Sequence, residues 1–417
     1  MPSFPLRTQL NDKGRLHRCW KSIFWNKSVS KKAKSRGIDK ETIADFYADE
    51  EKNLDEIFAA LKKNKHKLSP LFGFPVKKEN KAEYRLITAA TVRDRIVHKA
   101  ILSVINNPLF KYLDTKVSYC GVKENIFKNR KNPNTLNTKC AILKLIEHVE
   151  KGNYWFFKSD IKGFYDNVPK RKLFNIIKKL SANVLHDHSL NPFIKDVIFF
   201  KLGNKEQIEN EKKASLPHKY YGISQGSSLS QFLANIYLAD FDRYMVKKYG
   251  DRFIRYIDDF IVVCKTKEEA TEAHSRSERY LKRKGLQLSA SSDKTKKVDI
   301  RQSRFNFLGL NFSKDQIRWK RSNDEARRWI REVLDLNNKE LYGDCPSLPA
   351  KFKRMNYKIQ GLGDYLRYYH TRENFEEINK QIRAKIKQNN LYKSVKMLDY
   401  SILCPIIKSK KWQFFFK

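Results

Sequence analysis

Acidic residues are scarce in this chain: 46 Asp plus Glu stand against 86 Lys plus Arg, a formal net charge of +40 over 417 residues. A compact body with that charge repels itself unless a polyanion lies close, so nucleic acid is the expected partner. The plainer alternative is a basic surface kept for solubility. Cysteine is sparse as well. The six residues Cys19, Cys120, Cys140, Cys264, Cys345 and Cys404 include no C-x-x-C pair, which argues against a disulfide framework and against a zinc ribbon or finger. No apolar run approaches the ~18 residues of a membrane span. The opening "MPSFPLRTQLNDKGR" lacks the apolar centre of a signal peptide. A soluble, reduced, cytoplasmic protein with no membrane partner is the expectation. Internal repeats are missing too, as are the Gly/Ser- or Pro-rich linkers that would divide the chain cleanly.

What is present is a well-stocked interior. Hydrophobic residues make up 41% and aromatics 13%, which excludes an intrinsically disordered chain. At a rough allowance of about 150 residues per domain, two or three domains are expected. Residues 41–64 set Ile43, Phe46, Tyr47, Leu54, Ile57, Phe58 and Leu61 at helical spacing. "FGFPVKKENKAEYRLIT" (72–88) predicts a hairpin around a charged turn, and the basic "TVRDRIVHKAILSVI" after it has helical periodicity. The stretches 121–139 and 203–219 are polar and are expected to be loops. "YWFFKSDI" (154–161) is an apolar strand ending on a carboxylate. Further on, Leu229, Phe232, Leu233, Ile236, Tyr237, Phe241 and Tyr244 mark one helix face. Thr266 and Glu269 predict a capping box opening a helix that runs to about residue 284, and "RFNFLGLNF" (304–312) is strand-like. Residues 324 to about 390 return to helical, basic character. The order predicts an α+β fold with a central sheet.

One segment needs a special reason. In "RFIRYIDDFIVVCK" (252–265) two short apolar strands enclose Asp258 and Asp259. A buried, unpaired carboxylate costs several kcal/mol or is neutralised by a shifted pKa. Neighbours on a flat strand point to opposite faces, but a tight turn breaks that alternation and can aim both at one place. Asp160 ends another apolar strand; paired beside the turn, it would bring three carboxylates to one sheet end. Such a cluster repels itself unless divalent cations neutralise it, and an oxygen-rich site of few carboxylates suits Mg²⁺ bound together with phosphates. Taken alone, an Asp-Asp pair is more often a polar turn.

The flanking sequence decides the matter. "RYIDDF" resembles the Y-x-D-D signature of reverse transcriptases, and "SDIKGFYDNVPKRKLF" (159–174) resembles the first-aspartate motif of bacterial members, especially those of group II introns. "GISQGSSLSQFLANIYL" (222–238) resembles their Gln-Gly motif. "DKTKK" (293–297) and "FNFLGLNF" (305–312) fall where the family keeps a Lys motif and a primer-grip hairpin. "GIDKETIADF" (37–46) and "TAATVRDRIVHKAIL" (88–102) resemble the group II finger region, and "QGLGDYLRYYH" (360–370) resembles the thumb.

The resemblance implies a right-hand polymerase of fingers, palm and thumb that copies RNA into DNA with two Mg²⁺ ions, Mn²⁺ being an alternative. The corresponding boundaries are a basic extension at 1–36, fingers at 37–153, a palm at 154–312 with insertions at 119–140 and 203–219, and a thumb and helical end at 313–417. It implies that Asp160, Asp258 and Asp259 are the catalytic metal ligands, with the backbone carbonyl of Ile161. Tyr165 falls where an aromatic ring excludes a 2′-hydroxyl. Lys77 and Arg85 flank the finger hairpin as candidate triphosphate cations. Gln225 and Gly226 would lie against the nascent base pair, and Lys294 or Lys296 is a candidate general acid. Phe307, Leu308 and Gly309 would cradle the primer end. Ordinary packing is the alternative for Tyr165 and for the 307–309 triplet.

The implied partners are a structured non-coding RNA template, nascent DNA and dNTPs, with protein subunits left open. Two departures are informative. "GVKENIFKNRKNPN" stands where group II proteins keep an Arg-rich stretch, and no endonuclease domain follows the thumb, so a complete mobile-intron protein is not expected. "QGSSLSQ" also resembles diversity-generating and defence-associated enzymes, while the V-T-G motif of retron enzymes is not found. The expected role is anti-phage defence. A diversity-generating element and a maturase-like RNA-binding protein are the alternatives.

Overall fold

The computed structural model describes residues 5–25, 29–77, 83–113, 115–121, 138–211, 213–292, 294–313 and 317–319, then short stretches (332–333, 335–343, 345, 347–348, 350–351, 354–355, 358) and residue 380. The chain forms two compact units, Met1–Lys27 with Lys31–Lys297, and Ser28–Ser30 with Val298–Lys417. The expected thumb motif at 360–370 lies outside the described residues, as does most of the helical region 324–390.

The N-terminal part is helical: α1 (Lys13–Phe24), α2 (Val29–Lys34), α3 (Ile43–Ala48) and α4 (Glu50–Lys62). The periodic run at 41–64 is therefore two helices. Thr42 caps α3 in a complete capping box with Asp45, and Asp49 leaves helical geometry before α4 starts on Glu50 and Glu51, acids that suit a helix N-terminus. The break removes Tyr47 from the buried stripe; it is 53% exposed and its ring stacks on Phe24 at 4.5 Å. A hairpin of β1 (Phe72–Lys77) and β2 (Tyr84–Ala89) follows, paired from Phe72↔Ala89 to Lys77↔Tyr84.

Two 22-residue helices, α5 (Val92–Leu113) and a later one at Ser228–Tyr249, pack on each other and centre the larger unit. Between them lie α6 (Thr138–Glu150), β3 (Trp155–Asp160), α7 (Phe164–Asn167), α8 (Lys170–Leu180), α9 (Asn191–Ile198) and α10 (Lys205–Glu211). The Ser228–Tyr249 helix is α11. Its expected single apolar face is a correction: Ala234, Asn235, Leu238, Ala239 and Asp242 are buried too, so the helix is enclosed on nearly all sides. The stretch 203–219 is not wholly loop either, because α10 forms within it around buried Ile208.

After α11 come β4 (Phe253–Tyr256), β5 (Asp259–Cys264), α12 (Lys267–Lys284) and β6 (Lys296–Asp299). The sheet order is β4-β5-β3-β6, and the two compact units divide within β6. Strand β5 is buried from Phe260 to Cys264, with Phe157, Phe241 and Phe253 packed around Phe260 at centroid distances of 5.5 to 5.9 Å. Helix α12 opens at Thr266, whose hydroxyl accepts the Glu269 N–H, and ends at Lys284 as the sequence predicts. The other half of the expected box differs: Glu269 accepts from the Lys265 amide and pairs with Arg252.

The smaller unit holds an antiparallel sheet of β7 (Phe305–Phe307), β8 (Leu310–Phe312) and β9 (Ile317–Trp319), with Phe305 stacked on Phe312 at 5.2 Å. A short helix, α13 (Lys339–Tyr342), buries Tyr342, whose hydroxyl donates to the Val333 carbonyl at 2.5 Å.

Candidate active site

Strands β3 and β5 are antiparallel with Asp160 opposite Asp259, and β4 returns on the far side with Tyr256 opposite Asp259. A two-residue turn, Ile257–Asp258, joins β4 to β5. Asp258 therefore sits in the turn, where strand alternation no longer applies, and the Ile161 amide donates to its carbonyl at 3.0 Å. The three carboxylates gather at one end of the sheet, as their placement in the sequence predicts.

The electrostatics match that crowding. Burial, then the charge of Asp160, raise the Asp258 pKa. Asp259 is pushed up to about 7, chiefly by burial and further by Asp258 and Asp160, while Lys158 opposes the shift. Lys294 pairs with Oδ2 of Asp160, and Lys158 Nζ approaches Oδ1 of Asp259 at 3.8 Å. The carboxylates splay toward these separate cations rather than clasping one another. Among the described residues, the trio whose ligating atoms all lie within 4.8 Å is instead the His17–Glu50–Glu51 ion-pair cluster. One oxygen of Asp160 and one of Asp259 are buried with no hydrogen-bond partner among the described residues. A buried carboxylate oxygen without a hydrogen bond is costly, and divalent cations bound by Asp160 and Asp259 would offset that cost. The donor set thus fits oxygen-ligated metal.

Other expected site residues are placed as follows. Ile161 is fully buried at the end of β3. Tyr165, on α7, packs against the core, and its hydroxyl pKa is raised by burial and then by the charge of Asp258. Its carbonyl accepts the Ile223 amide at 2.8 Å, tying the first-aspartate segment to the Gln-Gly segment. Gln225 donates to Asp166 at 3.2 Å, and its carbonyl accepts the Thr88 amide at 2.9 Å. Gly226 sits at φ 137°, and a Cβ there would come within 2.3 Å of the Thr88 carbonyl. The close approach that excludes a side chain here is thus to the backbone of the β1–β2 hairpin.

Of the two candidate acids, Lys294 reaches the carboxylates while Lys296 lies on β6. Lys77 and Arg85 are both exposed but leave the hairpin on opposite faces, since Lys77 is opposite Tyr84 and Arg85 opposite Val76. The register thus puts the two candidate triphosphate cations on alternate faces of the hairpin, each on a long side chain. In the smaller unit, Leu308 and Gly309 form the β7–β8 turn at φ 50° and 83°, and Phe307 is buried.

Two residues escaped the sequence reading. Lys158 is on the Asp160 face of β3, two residues upstream, and is 8% exposed. Arg255 is 1% exposed and forms a double hydrogen bond to equally buried Asp242 of α11, both at 2.6 Å. It also donates to Asn235 Oδ1 at 3.1 Å, Ser118 Oγ at 3.0 Å and the Ile257 carbonyl at 2.8 Å. The last bond ties the network to the turn that carries Asp258. A charged residue inside each apolar strand was the available signal: a buried cation needs a partner and commonly marks one.

Known proteins resemble this chain over part of its length. The group II intron-encoded protein LtrA of Lactococcus lactis subsp. cremoris is 24% identical over 229 residues, covering 55% of this chain and 33% of that protein. The putative COX1/OXI3 intron 2 protein of Saccharomyces cerevisiae is 26% identical over 237 residues, covering 55% and 24% respectively. The matched region thus spans about a third or less of the length of these relatives. A chain of a partial Cas6-RT-Cas1–Cas2 complex is 24% identical with a TM-score of 0.32, covering 67% of this chain and 42% of that one. The family profile described as reverse transcriptase (RNA-dependent DNA polymerase) matches residues 76–312, from the finger hairpin through the aspartate turn to β8. With more than half its length inside that profile and the three carboxylates drawn to one sheet end, the chain belongs to the reverse transcriptase family.

Proposed function

We propose that this chain is an RNA-directed DNA polymerase. The observation that carries the reading is the gathering of Asp160, Asp258 and Asp259, with one buried oxygen each of Asp160 and Asp259 lacking a hydrogen bond among the described residues. Mg²⁺ or Mn²⁺ held by these carboxylates and the Ile161 carbonyl would supply charge neutralisation for a triphosphate and activation of a primer hydroxyl. The chain's own residues set the stage. The β4–β5 turn holds Asp258 beside Asp160, Lys294 stands at the carboxylates as a proton donor for a departing pyrophosphate, and Tyr165 offers a ring against the incoming sugar. The basic surface supplies affinity for the template and primer strands.

The template we infer is a dedicated, structured non-coding RNA, and the role a cytoplasmic one in anti-phage defence. The "QGSSLSQ" form of the Gln-Gly segment and the +40 net charge support this reading. Sequencing the RNA and DNA that co-purify with the chain from cells tests both levels. With the wild type, one discrete RNA and its complementary DNA are expected. Asp258→Ala with Asp259→Ala should remove the DNA and leave the RNA bound. Complementary DNA that persists in the double variant refutes the metal-site assignment, and a mixed RNA population refutes the dedicated template.

A further inference from the structure

Away from the carboxylates, the Gln-Gly segment and the first-aspartate segment run side by side in extended form. The Gly222 amide donates to the Val168 carbonyl at 2.9 Å, Pro169 bridges Tyr221, and the Lys170 amide donates to the Tyr220 carbonyl at 3.0 Å. Val168 and Pro169, the extended residues between α7 and α8, lead the pairing away from Tyr165. At its far end Lys170 heads α8, and its side chain is 3% exposed. The ammonium donates to the His218 carbonyl at 3.0 Å and lies 5.1 Å from the centre of the Phe200 ring. Among the described residues it meets no carboxylate. A buried ammonium with so few partners is expensive, yet this one borders a cavity of about 270 Å³ walled by Phe199, Phe200 and Pro217, with Lys205 and Lys219 also lining it. Lys205 is shared with Glu209 at 3.4 Å.

Beside the cavity stands an exposed aromatic ridge. Tyr220 and Tyr221 are 46% and 44% exposed, the His218 ring lies 5.0 Å from that of Tyr221, and the cations of Arg171 and Lys219 lie 5.7 and 5.4 Å from the centre of the Tyr220 ring. Exposed rings interleaved with cations, next to an aromatic cavity holding a buried ammonium, have the chemistry that receives unpaired nucleotides: rings for the bases, ammonium groups for the phosphates. The volume of about 270 Å³ is below the usual 300–1,000 Å³ of small-molecule pockets, which limits any occupant to about one nucleotide.

We propose that the Tyr220–Tyr221 ridge and the Lys170 cavity form a second binding site for nucleoside phosphates, occupied by single-stranded nucleic acid, with one nucleotide seated in the cavity. The site stands whether or not the chain polymerises, because nothing in it uses the three aspartates.

The test is fluorescence anisotropy of a labelled 12-nucleotide oligouridylate, and of the matching oligothymidylate, on the full chain without dNTPs. Tyr220→Ser with Tyr221→Ser leaves the net charge untouched and alters two exposed side chains. Stacking is worth roughly tenfold in affinity for each base lost, so a loss of about tenfold or more is expected. Lys219→Ala should flatten the slope of log affinity against log salt by about 0.7, one single-strand phosphate contact. A 4-thiouridine version of the RNA should crosslink to the 199–221 region. Displacement of the label by free uridine monophosphate assigns the cavity to mononucleotides; displacement by unlabelled RNA alone assigns it to a strand. Affinity within twofold of wild type for the tyrosine double variant, with crosslinks elsewhere, overturns the proposal. Primer extension on a pre-annealed hybrid reads the polymerase separately, so the two readings fail independently.

Discussion

Two hairpins in this chain turn on two residues each and reach the turn by different means. In the β7–β8 turn, Leu308 and Gly309 both take positive φ, 50° and 83°. That is the pattern of the tight turn matched to strand twist, and glycine fills the second position at no steric cost. In the β4–β5 turn, Ile257 takes φ 59° with no glycine in the turn. A β-branched residue there is a conformational outlier, at a cost of roughly 1–2 kcal/mol. It is held from outside: Arg255 grips the Ile257 carbonyl, the Ile161 amide takes the Asp258 carbonyl, and Asp242 of α11 anchors Arg255. The first turn also holds a bulky residue, Leu308, in the left-handed region, but it has a glycine beside it and no β-branch. The second is held by the surrounding fold, and it carries Asp258, one of the proposed metal ligands, where strained backbone is common.

The comparison can be broken at its strongest point first. Arg255→Met strands the buried Asp242 carboxylate and frees the Ile257 carbonyl. Removing one partner of a buried pair costs about 3–5 kcal/mol, so chemical denaturation should show a loss of that order, with DNA synthesis falling alongside. A loss under about 1 kcal/mol would mean that the turn holds itself.

The hairpins also differ in titration, since the first strand residue after the β4–β5 turn is Asp259 whereas the β7–β8 hairpin has no ionisable residue from Phe305 to Phe312. Asp259 has a folded-state pKa of about 7, against about 3.9 unfolded. From pH ~4 to ~7 the folded chain keeps a proton that the unfolded chain has released. Its contribution to the stability of metal-free protein is therefore present below about pH 4 and lost as pH rises through 7. Thermal unfolding in a chelator should show that decline, and Asp259→Asn should flatten it. A decline equally steep in Asp259→Asn would assign it to other groups.

The smallest effect belongs to the turn that contains a glycine. Gly309→Ala places a Cβ at φ 83° and should cost about 1 kcal/mol, whereas Gly309→Asn, which tolerates the left-handed region, should cost only a few tenths. Equal losses for the two would show that packing, not backbone conformation, fixes this turn.

Much of the frame is legible before folding. Strands β3 and β5, the Thr266 cap and the end of α12 follow from apolar runs and one hydroxyl, because these are set by residues close in sequence. The division at Asp49 was missed, since a helical period continues across a break that dipole and capping chemistry place there. Helix α10 was missed because a polar run gives little sign of the single Ile208 that docks it. The motif names Lys77 and Arg85 as candidate triphosphate cations, and only the strand register shows that they leave the hairpin on alternate faces.

The sequence by itself determined the chemistry available: three aspartates at strand ends, a basic excess, and motifs in the order of a reverse transcriptase. Those depend on residue type and spacing alone. Only the tertiary structure decided which cations meet the aspartates, that Lys294 and Lys158 do so, and that a buried arginine from one strand and an aspartate from a distant helix hold the turn in place. Burial raises the Asp259 pKa and makes Arg255 dependent on Asp242; neither effect exists in the extended chain, because both require water to be excluded by residues far away in sequence.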